Sequence, residues 1–143
     1  MSGLDSSYAR LMGVQLYVDA EGREHLLLPF GQHLLGRPGS LHGGAIAGLL
    51  ALACDHAMAK ETSSADAAAV QCLTSTFQFL RAGREQDLRA VASVQRGRAI
   101  STVQAAAWQE TEMKPIAIVT RKYRQLPLNT AGRLSKNAAI PSR

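Results

Sequence analysis

Val14, Leu16 and Val18 alternate with Gln15, Tyr17 and Asp19. A period of two predicts a strand with one buried face. Glu21-Gly22 supplies a turn, and His25 to Phe30 returns as a second strand, so the two form a hairpin. Ahead of them, Asp5 to Met12 reads as a short helix capped by Asp5 or Ser6. Gly31 to Leu41 carries Gly31, Gly36, Gly39 and Pro38 and reads as a loop.

Leu41 to Lys60 is rich in alanine and leucine and lacks proline, which favours helix. It is apolar nearly all round until Asp55. A helix without a polar face has to be covered on almost every side. Its longest apolar run, Ala45 to Cys54, is ten residues, about half of the ~20 that span a membrane. The cover must therefore come from protein. Four strand-like runs follow: Ala67 to Leu80, Gln86 to Gln95, Ala99 to Gln109 and Pro115 to Tyr123. The connections at Arg81–Arg84, Arg96–Arg98 and Thr111–Lys114 are too short for parallel crossovers and imply antiparallel neighbours. The pattern predicts an α+β domain over residues 1–124, an antiparallel sheet curled round one long buried helix, followed by a polar, mobile tail over 125–143.

The chain has 143 residues, 46% hydrophobic and 19% charged, enough for one core without disulfides or metal. Cys54 and Cys72 lie in apolar segments and read as reduced, buried thiols of a cytoplasmic protein. No charged-then-apolar leader opens the chain, which argues against secretion. The net charge is +5, of which Arg133, Lys136 and Arg143 in the tail supply +3. The body then carries 13 basic and 11 acidic residues without a basic block interleaved with aromatics. Neither nucleic acid nor membrane is an expected partner. A mild arginine excess suits a phosphate-bearing small molecule.

Leu41-His42-Gly43-Gly44-Ala45-Ile46-Ala47-Gly48-Leu49-Leu50 resembles the signature of hot-dog-fold acyl-CoA thioesterases of the phenylacetate-degradation, PaaI-like type. Phe77 to Gly83 resembles that family's central strand and following loop, and the likeness runs from Met12 to Arg124. It implies the hot-dog fold and a small acyl- or aryl-CoA thioester as substrate, with no other cofactor. It also implies a homodimer or homotetramer with the site at the subunit interface. Backbone N–H groups at Gly43 and Gly44 have no partner inside the helix and sit at its positive end, where they can hold a thioester carbonyl.

The family's catalytic acid, nine residues after the motif histidine, falls on Ala51; its asparagine, six before, on Gly36; its strand hydroxyl, seven before Phe79, on Cys72. Asp55, four residues beyond Ala51, shares that helical face and is the acidic candidate on the helix. Gly43, His42 and Asp55 are thus the candidate catalytic residues, with His42 read as a shaping residue or a general base. Gly44, Gly36, Ala51, Cys72, Arg81 and Arg98 are the candidate substrate-binding residues, with Arg37 and Arg96 as further phosphate contacts. His25 and His33 read as surface residues, His56 as a helix residue near solvent, and Trp108 as sheet packing. Two functions follow: a thioesterase, or a non-catalytic acyl-CoA-binding or structural subunit that a catalytic hot-dog partner would complete.

Overall fold

In a computed structural model that describes residues 3–62 and 70–126, the Ser6 hydroxyl accepts the Ala9 N–H at 3.1 Å and caps helix α1 (Ser7–Met12). Gly13, with φ +77°, closes that helix, as a left-handed position requires. The hairpin β1 (Gln15–Val18) and β2 (Glu24–Leu28) follows, turning at Gly22 with φ +80°. All four β1 residues are exposed, which corrects the expectation of one buried face. β1 is an edge strand, and among the described residues only β2 is paired with it.

The expected loop before the helix contains a small hairpin, β3 (Leu35–Arg37) with β4 (Ser40–Leu41), turning through Gly39 at φ +78°. That hairpin fixes where the long helix starts. The Leu41 N–H donates to the Gly83 carbonyl at 2.9 Å, and the His42 N–H donates to the Leu34 carbonyl at 2.8 Å.

Helix α2 runs from Gly43 to Glu61, 19 residues and about 28 Å at 1.5 Å per residue. Ile46, Leu49, Leu50, Ala53, Cys54 and Met58 are buried in one cluster with Leu26, Leu28 and Leu88 and the inward residues of the sheet. Beneath the helix the sheet presents Ala90, Ala105, Ala107 and Ala117, whose small side chains let the backbones approach. The cover is incomplete, however. Gly43 is exposed, and Ala47, Ala51 and Asp55, spaced four apart along the same face, are only half-buried.

The main sheet is β1-β2-β6-β7-β8-β5, entirely antiparallel, with β5 at Val70–Phe79, β6 at Leu88–Gln95, β7 at Ile100–Trp108 and β8 at Ala117–Gln125. β6, β7 and β8 are sequential neighbours, as expected. β5 is not beside β6; it pairs with β8 at the far edge, so the connection after Phe79 crosses the end of the sheet. Three strand spacings are about 14 Å, and eight extended residues reach about 26 Å, so a short connection suffices for a distant neighbour. The expected start of β5 at Ala67 lies outside the described residues, as does the tail beyond 126; Gln125 closes β8 and does not begin the tail. Among the described residues β5 has a strand partner on one side only.

Candidate functional site

His42 is the N-cap of α2, and its Nδ1 accepts the Gly44 N–H at 2.8 Å. The bond uses the Nδ1 lone pair, and the ring caps the first turn of α2. It also corrects the reading of the glycine pair. Gly44 does not offer a free amide; its missing side chain makes room for the His42 ring, since a Cβ there would lie 2.8 Å from Nδ1 and Cε1. Gly43 is different. Its N–H has no hydrogen-bond partner among the described residues. The Ala45 N–H turns inward to the His42 carbonyl at 3.0 Å.

Gly43 opens onto a cleft of about 590 Å³ between the start of α2, the β3–β4 hairpin and the segment after β5. Gly36, Arg37, Leu41, Ile46 and Phe79 to Gly83 line it. Phe79 is 55% exposed there, and a Cβ on Gly43 would meet its ring at 3.7 Å. Gly36 is at the cleft, but any side chain there would press the His42 backbone, with Cβ to Cα at 3.1 Å. A side chain at this position would require the start of α2 to give by a few tenths of an ångström. Arg81 reaches the cleft while donating through Nη1 to the Pro115 carbonyl at 2.7 Å. Arg37 lines the same opening. Arg98 does not; it lies in the turn between β6 and β7, beside Arg96, which donates to the Glu61 carbonyl at the other end of α2.

A second group of polar residues gathers further along α2. Asp55 Oδ1 accepts from Arg121 Nη1 at 2.8 Å and from the Tyr123 hydroxyl at 2.6 Å. Arg121 Nη1 also donates to the Ala51 carbonyl at 3.1 Å, and its Nε donates to the Ser75 hydroxyl at 2.9 Å. Beside Ala51, where the family carries its acid, this chain thus brings a guanidinium. Burial opposes the charge on Arg121, but the Asp55 carboxylate, together with Tyr123, Cys72 and Cys54, outweighs it and holds the group above its usual range. Burial, then the hydrogen bond to Asp55, push the Tyr123 phenol far up, so it stays protonated and donates. Cys72 is half-buried beside this group, its Sγ 3.6 Å from the Ser75 hydroxyl.

Sequence reasoning missed Arg121, Tyr123 and Ser75. The signal was present in β8: Ala117, Val119, Arg121 and Tyr123 alternate onto the inward face, and an arginine between buried neighbours needs an anion. His56 is no partner of Asp55; it turns to Glu24 on β2, Nε2 to Oε2 3.1 Å, as adjacent helical residues diverge. His25 is buried, 6% exposed, between Tyr17 and Trp108 and bonded to Asp19 at 2.8 Å, which corrects its reading as a surface residue. His33 is exposed, as expected.

A protein-family model described as the acyl-CoA thioesterase N-terminal domain matches residues 35–122. Among solved structures, a Bacillus halodurans protein crystallised with CoA superposes with a TM-score of 0.76 at 21% identity, covering 87% of this chain and 81% of its own. A Chromobacterium violaceum protein superposes at 0.69 with 29% identity, covering 88% of each chain. The Escherichia coli PaaI protein of the phenylacetic acid degradation operon does so at 0.66 with 22% identity, covering 82% and 86%. All share the hot-dog arrangement seen here. No curated protein sequence matches the chain.

Proposed function

This chain belongs to the acyl-CoA thioesterase family, and from that premise we propose that it hydrolyses a small acyl- or aryl-CoA thioester at a site shared by two copies. The observation that carries the reading is the unpartnered Gly43 N–H, at the positive end of α2, opening onto an apolar cleft flanked by Arg37 and Arg81. The amide polarises the thioester carbonyl and holds the oxyanion that forms from it. Phe79 and Ile46 offer the acyl group an apolar wall, and the arginines suit the phosphates of CoA. The CoA bound to the Bacillus halodurans neighbour supports the same ligand class.

Asp55 is the base in this reading. Its Oδ2, without a partner among the described residues, takes a proton from water as the water oxygen bonds the carbonyl carbon. The carbon–sulfur bond then breaks, and the proton passes to the departing CoA thiolate. Gly43 and Asp55 are 12 positions apart on one helix, about 18 Å by helical rise, too far to act on one carbonyl. Two copies joined antiparallel along their β5 edges remove that difficulty. Phe79 lies by Gly43, while Ser75 lies by Asp55. A two-fold axis near Phe77, midway between Ser75 and Phe79, therefore carries the partner subunit's Gly43 toward this chain's Asp55, and covers the open stripe of α2.

The second reading, an acyl-CoA-binding subunit without turnover, is favoured by Ala51 and by the two donors already on Asp55 Oδ1. Light scattering with hydrolysis of butyryl-, benzoyl- and palmitoyl-CoA by wild type, Asp55→Asn and Ala51→Glu separates them. A dimer or tetramer whose turnover is lost in Asp55→Asn supports the hydrolase. Binding without turnover, with turnover gained in Ala51→Glu, supports the second reading. A monomer that binds none of the three thioesters overturns both. A cytoplasmic setting fits the two free thiols, Cys54 and Cys72. No helix among the described residues is long and apolar enough to cross a membrane.

A further inference from the structure

We propose that Arg121 is a positioning residue for Asp55, with Tyr123 as a second clamp, so that β8 restores the orientation a carboxylate at position 51 would otherwise supply. The inference rests on the hydrolytic reading above.

Arg121 and Tyr123 lie two apart on β8 and so project from the same face of the strand. Both donate to the same atom, Oδ1 of Asp55. The guanidinium is itself held on two further sides, by the Ala51 carbonyl of α2 and the Ser75 hydroxyl of β5. Its planar fork spreads those bonds over two nitrogens, Nε and Nη1, which the single nitrogen of an ammonium cannot do. Exposure is divided unequally: the Arg121 side chain is 14% exposed, the Asp55 side chain 42%. At that exposure the Asp55 carboxylate keeps contact with solvent, so an oxygen without a protein donor is hydrated rather than stranded. Here Oδ1 takes both strong donors and Oδ2 takes none among the described residues. The carboxylate is thus held through one oxygen, and the other is left without a protein donor among the described residues. That is the geometry of a held base, and positioning of this kind carries much of the catalytic gain. Around it the titratable and charged groups are Arg121 and Tyr123 from β8, Cys72 from β5 and Cys54 on α2 itself.

The test is kcat, KM and the pH profile of kcat for wild type, Arg121→Gln, Arg121→Lys and Tyr123→Phe, on whichever of butyryl-, benzoyl- and palmitoyl-CoA turns over fastest. Loss of the guanidinium frees the carboxylate and removes a facing positive charge. Arg121→Gln is expected to lower kcat by about 10- to 100-fold with KM within about threefold, and to move the acid limb upward as the facing positive charge is lost. Arg121→Lys keeps the charge without the fork and recovers the limb more than the rate. Tyr123→Phe shifts both in the same direction by less. A folded Arg121→Gln with an unmoved acid limb overturns the proposal, as does a change confined to KM. If Arg121→Gln does not fold, Tyr123→Phe decides alone, and a profile identical to wild type overturns it. A wild type without turnover, or an Asp55→Asn variant as fast as wild type, removes the base itself, and the hydrolytic reading fails before this one.

Discussion

Replacing His42 by alanine and by asparagine separates its capping role from proton transfer. The imidazole accepts one N–H of the first turn of α2, that of Gly44, at 2.8 Å. Alanine removes the acceptor, and because Gly44 is exposed, water takes its place. The loss is then that of an ordinary N-cap, about 1 kcal/mol. For a chain of 143 residues, that corresponds to a fall of about 3 °C in Tm. Asparagine is among the best N-caps and restores the bond, so His42→Asn should melt within about 1 °C of wild type. The same bond bears on chemistry. While Nδ1 accepts from Gly44, the ring proton is on Nε2, and no lone pair remains to take a proton from water. His42→Asn should therefore keep kcat within about threefold, whereas loss of a true general base costs about 100-fold or more. The assays are differential scanning calorimetry and acyl-CoA hydrolysis on one preparation. A His42→Asn protein with the wild-type Tm and a kcat reduced by two orders of magnitude would refute the capping argument and make the imidazole a proton carrier.

Two further outcomes concern stability. A Cβ on Gly48 would collide with the hydroxyl of Tyr8, the far end of a side chain 44% exposed, so Gly48→Ala should swing that ring aside. The packing lost is set against about 1 kcal/mol of helix propensity, so urea unfolding should show a net change within about 1 kcal/mol, and Gly48→Ala should be stabilising in a Tyr8→Ala background; additive effects would show that the two residues do not meet. Burial pushes the Cys54 thiol up to about 12 from its ordinary 9.0. Unfolding therefore releases a proton above about pH 9, and stability falls with rising pH by up to about 1.4 kcal/mol per unit until the folded thiol also ionises. Cys54→Ala should flatten that alkaline slope, and an unchanged slope would place the effect elsewhere.

The order strand, strand, helix and four strands was legible because period two and an uninterrupted apolar run are strong local signals. The helix start was legible too, since His42-Gly43-Gly44 punctuates the apolar run that follows. The division of labour within that motif was not. Which glycine keeps a free amide depends on the His42 rotamer, a choice that sequence does not record. The neighbour of β5 was equally hidden: connection length bounds reach, not destination. His25 looked like a surface residue because its cover, Tyr17 and Trp108, comes from β1 and β7, one adjacent and one 83 positions away. Arg121 could have been found by asking what neutralises a cation on the inward side of β8. Its partner Asp55 is 66 positions earlier, beyond any local rule.

The placement of β5 against β8 bears on how the chain comes off the ribosome. β5 ends at Phe79, yet the strand that receives it begins at Ala117. Nascent chains that stop short of β8 hold a long greasy helix and an unzipped ribbon with nothing to dock on, conditions that invite aggregation. Truncation just before Ala117 should accordingly yield insoluble material rather than a smaller folded domain, because β8 is the strand that completes the described sheet.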